Sequence, residues 1–463
     1  MSKLTAIVLA AGQGTRMKST RAKVLFELCG RSMLEHVLQA TFEANVADAI
    51  VVVGHQADAV KGSLNHHGSR VRSALQAEQK GTGHAVRCAL PELAADCEMA
   101  LVLCGDTPML RGADLVRRVQ ALEANHSAEL AMLTCCVEDP TGYGRIGRND
   151  AKTIAKIVEH KDASAAERAI REINPAMYAL RGAFLRSALE SLTPNNAQGE
   201  YYFTDVVAAA AARSDVIAVP VDDAISLSGI NDRVQLAAAE ATLYQRIADG
   251  WRRTGVTVRA DARIDAGVTI EPDATIGAGV HLRGRTTIGA DANVDVGCVL
   301  TDVGIAPGAK LKPYTVATQS TIGERAELGP FSHVRPDSVI GPEAHIGNFV
   351  ETKKTTLHRG AKANHLAYLG DGEIGEGANV GAGTIFCNYD GFKKHKTEIG
   401  KGAFIGSDSQ LVAPIKIGEN AYVATGTTVT KDVPAGALAI ARTKQENKEG
   451  YAERLKARLK SRT

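Results

Sequence analysis

The chain has 463 residues, a length that predicts two or three domains rather than one core. Its 54 basic and 52 acidic side chains leave a formal net charge of +2, which argues against nucleic acid as a partner held through its phosphates. The apolar opening of MSKLTAIVLAAGQGTRM is too short to span a membrane and lacks the ordered parts of a signal peptide, so a soluble cytoplasmic protein with no membrane partner is expected. The eight cysteines fit a reducing compartment, since they contain no Cys-x-x-Cys and their one close pair, Cys135–Cys136, is adjacent. Cys88, Cys97 and Cys298 sit among Ala, Val and Leu and read as small buried hydrophobes.

In chain order, compact apolar runs at 4–10, 49–54, 99–104 and 130–137 alternate with helical stretches, the pattern of strands buried in a parallel, Rossmann-like α/β sheet. Ser32, with Glu35 three residues on, reads as a capping box opening the first helix. Before it lies Leu9-Ala10-Ala11-Gly12-Gln13-Gly14-Thr15-Arg16-Met17, whose glycines let backbone amides approach an anion while Arg16 adds positive charge. It has no Gly-Lys-Ser/Thr, so it is not a P-loop, and Met17 replaces the third glycine of a dinucleotide fingerprint. Gly105-Asp106 closes the 99–104 run, so Asp106 stands where open α/β sheets bind ligands and is a natural magnesium ligand, the alternative being a turn before Pro108. Asn231 heads a helical stretch through Ala248, where a helix-cap role for Asn231 or Asp232 competes with any ligand role.

From residue 264 the pattern changes. Ile264, Ile270, Ile276, Leu282, Ile288, Val294 and Leu300 recur every six residues, and the period returns at Ile322–Ile346 and Ile399–Val429. Six fits neither a helix nor a hairpin; it fits short strands joined by regular corners, each coil covering its neighbour's apolar face. The spacings from Ile346 to Ile374 and from Ile374 to Ile399 are not multiples of six, which predicts inserted loops there. His365 falls in the first interruption beside Asn364 and Tyr368, with Asn379 and Asn388-Tyr389-Asp390 following; five other histidines (His281, His333, His345, His358, His395) lie in or beside the repeats. A loop histidine is ordinarily a plain surface residue, but this polar company points to catalysis.

The glycine loop, together with Lys23 in AKVLFEL, resembles the signature of the sugar-phosphate nucleotidyltransferases. So do Gln76-Ala77-Glu78-Gln79 with Gly81-Thr82-Gly83-His84-Ala85, Asp139-Pro140-Thr141-Gly142-Tyr143-Gly144-Arg145 and Val158-Glu159-His160-Lys161. Residues 255–440 resemble the hexapeptide-repeat acyltransferases, whose coil is a left-handed parallel β-helix that usually assembles as a homotrimer. As a whole the chain resembles the bifunctional N-acetylglucosamine-1-phosphate uridyltransferase/glucosamine-1-phosphate acetyltransferases of bacterial cell-wall precursor synthesis. Domains are accordingly expected at 1–230 (uridylyl transfer), 231–254 (linker helix) and 255–463 (acetyl transfer, with a basic tail).

The resemblance implies that acetyl-CoA acetylates glucosamine 1-phosphate with His365 as general base. It also implies that UTP then donates uridylyl to N-acetylglucosamine 1-phosphate, with Mg2+ on Asp106 and Asn231 and with Arg16 and Lys23 at the phosphates. It assigns substrate contacts to Leu9, Ala10, Ala11, Gly12, Gln76, Gly81, Thr82, Cys104, Gly105, Asp106, Gly144, Glu159, Asn174 and Asn231 in the first half, and to Arg335, Lys353, Tyr368 and Asn379 in the second. Ala382, Asn388, Tyr389, Ser407, Thr425 and Arg442 fall on the acetyl-CoA side. The chain departs from the family at Cys104 (often Tyr), Ala22 (often Pro), Asn174-Pro175-Ala176 (usually Asn-Thr-Gly) and Thr425 (commonly Ala). The rival enzyme is a hexose-1-phosphate nucleotidyltransferase with a regulatory β-helix, which needs no histidine at 365. A non-catalytic scaffold would lack Lys23, Asp106 or His365.

Overall fold

The computed structural model describes residues 3–461, in two compact units that divide between Gln245 and Arg246. In the first unit Leu4–Ala10 pairs in parallel with Asp48–Val53 on one side and Met99–Cys104 on the other, and Val71–Leu75 extends the sheet beyond Asp48–Val53. These central strands are buried almost throughout, which is why they read as unbroken apolar runs. The sheet is mixed rather than parallel: Tyr178–Arg181 runs antiparallel between Met99–Cys104 and Leu130–Cys136, and Glu172–Asn174, Gly144–Arg148 and Ile154–Val158 continue antiparallel. Of these pairs only Gly144–Arg148 and Ile154–Val158 are joined by a short hairpin connection, whereas Ile217–Pro220, reached through the helices Gly182–Glu190 and Asp205–Ala211, runs parallel to Leu130–Cys136. Because the chain leaves Leu4–Ala10 toward one side and comes back on the other, a crevice opens at the carboxyl ends of Leu4–Ala10 and Met99–Cys104.

One helix start differs in detail from expectation, and another decides between the two caps the sequence offered. At Met33–Glu43 the Ser32 hydroxyl accepts the Glu35 N–H at 3.1 Å, but the Glu35 carboxylate turns to His66 and His67 instead of closing the box. At Arg233–Arg253 the cap is Asp232, whose carboxylate accepts the N–H of Val234 and Gln235 at 2.9 and 2.8 Å, leaving the Asn231 side chain available.

The second unit is a parallel β-helix of three sheets with 11, 10 and 9 strands, the architecture of the left-handed hexapeptide-repeat coil. One aliphatic per strand stacks on its equivalents: Ile276, Val294, Leu311, Leu328 and Ile346 down one sheet, Ile270, Ile288, Ile305, Ile322 and Ile340 down another. Ala248 of the Arg233–Arg253 helix joins this core, with Ile247 and Trp251 packed against it.

The expected loop at 347–373 is absent. Ile346, Thr352, Leu357, Ala363, Leu369 and Ile374 fill six consecutive strand positions, so the coil runs on. The period fails because two steps, Thr352 to Leu357 and Leu369 to Ile374, are five residues long, and because Thr352 and Ala363 stand where aliphatics were sought. His365 therefore lies at the end of the strand Lys362–His365. The second interruption is real: a loop leaves the coil after the strand Ile385–Cys387 and rejoins at Thr397–Ile399. Close approach of coils also fixes Gly347, where a Cβ would fall on the Asn364 carbonyl. Gly347→Ala is expected to destabilise the β-helix by about 1–3 kcal/mol, read as a lowered denaturant midpoint; an unchanged midpoint would mean the two coils part freely.

Candidate active sites

A cleft of about 330 Å³ occupies the crevice, lined by Leu9, Ala10, Ala11 and Gly12, by Gln76, Gln79, Gly81 and Thr82, and by Lys23, Cys104, Asp106 and Glu200. Gly14 carries φ +63° and a Cβ there would meet Lys23 Cβ at 2.6 Å, so glycine is what seats the Lys23 stem under the loop. The Lys23 ammonium then pairs with Asp106 Oδ2 and donates to Asn231 Oδ1 at 3.0 Å. Ile230 N–H bonds the Asp106 carbonyl at 2.9 Å, which ties the segment before the Arg233–Arg253 helix to the end of the Met99–Cys104 strand. Asp106 and Asn231 thus present a carboxylate and an amide oxygen to one point, a hard donor set that fits magnesium with phosphate oxygens completing the shell.

The surrounding loop is braced by its own glutamines. Gln76 Nε2 donates to the Gly81 carbonyl at 3.1 Å and Gln79 Nε2 to the Ala11 carbonyl at 2.7 Å. Gly105 N–H bonds the Leu9 carbonyl at 2.9 Å and closes the floor. Ala22 N–H, which the proline expected from the family resemblance would lack, donates to Gln56 Oε1 at 3.1 Å. Arg16 is exposed on the Thr15–Met17 turn and is not among the residues lining the cleft. Glu200, which no motif singled out, lines the cleft because Tyr201 N–H and Gly83 N–H tie its loop to 80–83 at 2.8 Å each.

A second cleft of about 190 Å³ shares Cys104 and Asp106 and is lined further by Tyr143, Gly144, Glu159, Asn174 and Ala176. Burial raises the Glu159 carboxyl above its ordinary range, and the Thr204 hydroxyl bonds it at 3.1 Å. Both ends of the Asn174 amide are engaged, by Tyr178 OH at 2.7 Å and Ala176 N–H at 3.0 Å. Ala176 holds φ +58°, the left-handed conformation that favours glycine, at a position where the family resemblance leads to the expectation of Gly. Burial, and then the Asp106 charge, push the Cys104 thiol up to about 12, so it is neutral and no nucleophile. Cys104→Ala is accordingly expected to keep uridylyl transfer within a few-fold of the parent, measured as pyrophosphate release; its abolition would give the thiol a role.

In the second unit the sequence-singled residues fall on two adjoining strips. Asn348, His365, Ala382, Ser407 and Thr425 are each the second residue after a core position (Ile346, Ala363, Val380, Ile405, Val423) of one sheet, so they stack at one corner of successive coils. At about 4.8 Å per coil the column runs ~15 Å past His365, and Arg442 bonds the Thr425 carbonyl at 2.7 Å near its end. His365 is exposed, and its Nδ1 lies 2.7 Å from Asn348 Oδ1. An amide oxygen only accepts, so this bond assigns the ring proton to Nδ1 and leaves Nε2 with a free lone pair.

On the next sheet Arg335 pairs with Glu351 at 2.6 Å, Glu351 stands beside Tyr368, and Lys353 follows one coil after Arg335. The real insertion delivers Lys394 to this strip. The loop is closed on itself by Asp390, which accepts the N–H of Phe392 and Lys393 at 2.8 and 2.7 Å and meets His395 Nε2 at 2.7 Å. The neighbouring Lys394 ammonium, with Arg335 beyond it, holds Lys353 below the usual lysine range. Asp371 opposes that shift, and Arg335 keeps Glu351 as its partner, so the strip is a mixed charge cluster in which the basic groups are in excess. Asn388 is buried and bonds Asp371 at 2.6 Å, Tyr389 is exposed, and Asn379 sits half-buried on the neighbouring sheet. Neither Asn348 nor Lys394 had a motif to flag it; Asn348 could have been found as the residue at the same corner position as His365, one coil earlier.

Residues 6–193 match the MobA-like NTP transferase domain, and residues 319–354 and 396–431 match the bacterial transferase hexapeptide repeat. The chain is 64% identical over 461 residues to "Bifunctional protein GlmU" of Sorangium cellulosum, covering 99% of this chain and 98% of the relative. It is 52% identical to the protein of that name from Anaeromyxobacter sp. (98% and 93% covered) and 45% identical to that of Pelobacter propionicus (98% and 99% covered). A nucleotidyltransferase sheet and a hexapeptide coil, matched together along nearly their whole joint length, place this chain in the bifunctional GlmU family.

Proposed function

We propose that the protein makes UDP-N-acetylglucosamine in two steps, acetylating glucosamine 1-phosphate from acetyl-CoA in the second unit and uridylylating the product from UTP in the first. The observation that carries this reading is the His365–Asn348 pair at 2.7 Å, because a nucleotidyltransferase with a merely regulatory β-helix has no use for it.

In the acetyl step Arg335, Lys353 and Lys394 hold the sugar phosphate, and Tyr368 and Asn379 orient the ring. The substrate amine attacks the thioester carbonyl, the C–N bond forms, and the C–S bond breaks. His365 Nε2 takes the ammonium proton and coenzyme A leaves as the thiolate. Ala382, Asn388, Tyr389, Ser407, Thr425 and Arg442 flank the acetyl-CoA along the column. In the uridylyl step Leu9–Gly12, Gln76, Gly81 and Thr82 hold UTP, while Gly144, Glu159 and Asn174 face the sugar. A phosphate oxygen of N-acetylglucosamine 1-phosphate displaces pyrophosphate at the UTP α-phosphorus, so positioning and charge neutralisation carry the rate. Lys23 supplies fixed positive charge there and Arg16 adds to it from the exposed turn. Asp106 and Asn231 would hold Mg2+, which when bound neutralises phosphate charge.

The half-exposed ladder Tyr314, Phe331 and Phe349, stacked at 5.3 and 5.7 Å beside the column, supports a homotrimer in which a neighbouring copy covers it. All eight cysteines are free, which supports a cytoplasmic setting, and no helix among the described residues is long and apolar enough to cross a membrane. Incubating the protein with glucosamine 1-phosphate, acetyl-CoA, UTP and magnesium should yield masses of UDP-N-acetylglucosamine, coenzyme A and pyrophosphate. Uridylylation of N-acetylglucosamine 1-phosphate without any acetylation of glucosamine 1-phosphate would favour the regulatory reading.

A further inference from the structure

Glu35 occupies the third position of the Met33–Glu43 helix, and a capping box would send its carboxylate back to the Ser32 N–H. Its Oε2 instead lies 2.9 Å from His67 Nε2 and 3.4 Å from His66 Nε2. The two histidines are consecutive in the turn Asn65–Arg70, with ring centroids 4.0 Å apart. Phe42, two turns along the same helix, backs the His67 ring at 5.6 Å, and the Arg70 guanidinium covers Phe42 at 3.7 Å, so the His67 side chain is held and only 13% exposed. Two imidazole nitrogens and a carboxylate oxygen from two separate elements thus converge within 4.8 Å of one another. None of the three residues lines either of the two clefts that share Asp106.

We propose that Glu35, His66 and His67 form a binding site for a divalent metal ion of the zinc and cobalt type, separate from the Asp106–Asn231 pair. A structural latch needs no more than the one hydrogen bond between His67 and the carboxylate. It gives no reason for a second imidazole, tilted by 38° against the first, to aim the same nitrogen at the same oxygen. A cation at the centre uses all three atoms. Two nitrogens and one oxygen are a zinc donor set, and tetrahedral bonds of about 2.0–2.1 Å put neighbouring ligand atoms roughly 3.3 Å apart, a value that the 2.9 and 3.4 Å separations bracket. The His66 side chain is 60% exposed, which leaves a fourth position open to water. Magnesium, which prefers oxygen ligands in an octahedron, does not suit this set. Because the ligands come from two elements, the ion would tie the Asn65–Arg70 turn to the helix and raise stability by mass action.

The test uses the full chain, stripped with EDTA and desalted, with Co2+ and then Zn2+ as probes. The parent should take up one equivalent more than His66→Ala, with a visible d–d band from low-coordinate Co2+ that Zn2+ displaces. His66→Ala removes an exposed ligand and should weaken Zn2+ binding at this site by at least about a hundredfold, the upper end of what loss of an outer-shell partner costs. Glu35→Gln, which keeps the shape of the cap, should also lose the band. Uridylyl transfer by both variants should match the parent, confirming that the fold is intact. If parent and variants titrate alike, the cluster is a hydrogen-bonded latch and the proposal is overturned.

Discussion

Asp106→Ala is expected to lower uridylyl transfer by about a hundred- to a thousandfold or more, the range seen when one preorganised electrostatic group is removed from a reacting centre. Asp106 lines both the 330 Å³ and the 190 Å³ cleft and pairs with Lys23, whose side chain is 14% exposed. Removing the carboxylate takes away one of the two oxygen ligands proposed for magnesium and leaves the Lys23 ammonium held only by Asn231. The 229–231 segment should stay in place, because Ile230 bonds the backbone carbonyl of Asp106 and not its side chain. Asp106→Asn retains the size and one hydrogen-bonding oxygen but not the charge, and it should be nearly as poor. Acetyl transfer by both variants should remain at the parent level, since every residue proposed for that site belongs to the second unit. Full uridylyl transfer by Asp106→Asn, followed as pyrophosphate release from preformed N-acetylglucosamine 1-phosphate, would show that charge at 106 is not what the step needs.

What could be read from the sequence was what repeats or what is locally constrained. The six-residue recurrence reports the coil directly, because each aliphatic meets its equivalent in the next turn. The Leu9–Met17 string is legible because an anion-binding turn demands glycine at fixed places, Gly14 among them. The shortfalls arose where a tertiary contact decided between local options. Five-residue steps at Leu357 and Ile374 mimic an insertion when only Ile-to-Ile distances are counted, although a three-sheet coil absorbs a shorter corner without leaving register. Tyr178–Arg181 is four residues long, and nothing in its pattern tells a parallel from an antiparallel neighbour. Glu35 satisfied a local capping rule, yet its carboxylate was drawn to histidines about thirty residues away. At the 231–232 pair either residue could cap; Asp232 does, and this frees Asn231 for Lys23. Lys394 joins Lys353 and Arg335 only because a closed loop carries it there, and the sequence around it is simply basic.

His365→Ala should lower acetyl-transfer turnover by about a hundred- to ten-thousandfold, the usual contribution of a positioned general base, or roughly 2.7–5.5 kcal/mol of barrier. The arrangement makes this more than a generic estimate. His365 ends its strand at the corner column and Asn348 holds its Nδ1 at 2.7 Å, which leaves Nε2 for the amine of the sugar whose phosphate we propose to lie on Arg335, Lys353 and Lys394. Because the phosphate grip lies on other residues, the loss should appear in kcat far more than in KM. Asn348→Ala leaves the imidazole in place but frees its tautomer, so it should cost less than His365→Ala while moving kcat in the same sense. His358 is the fitting control: it follows Leu357 on the third sheet, away from the column, and pairs with Glu373 at 3.1 Å on the surface. His358→Ala should be near neutral, and uridylyl transfer should survive all three changes. Acetyl transfer undiminished in His365→Ala, or as badly reduced in His358→Ala, would remove His365 from the role of base and return the β-helix to a regulatory reading.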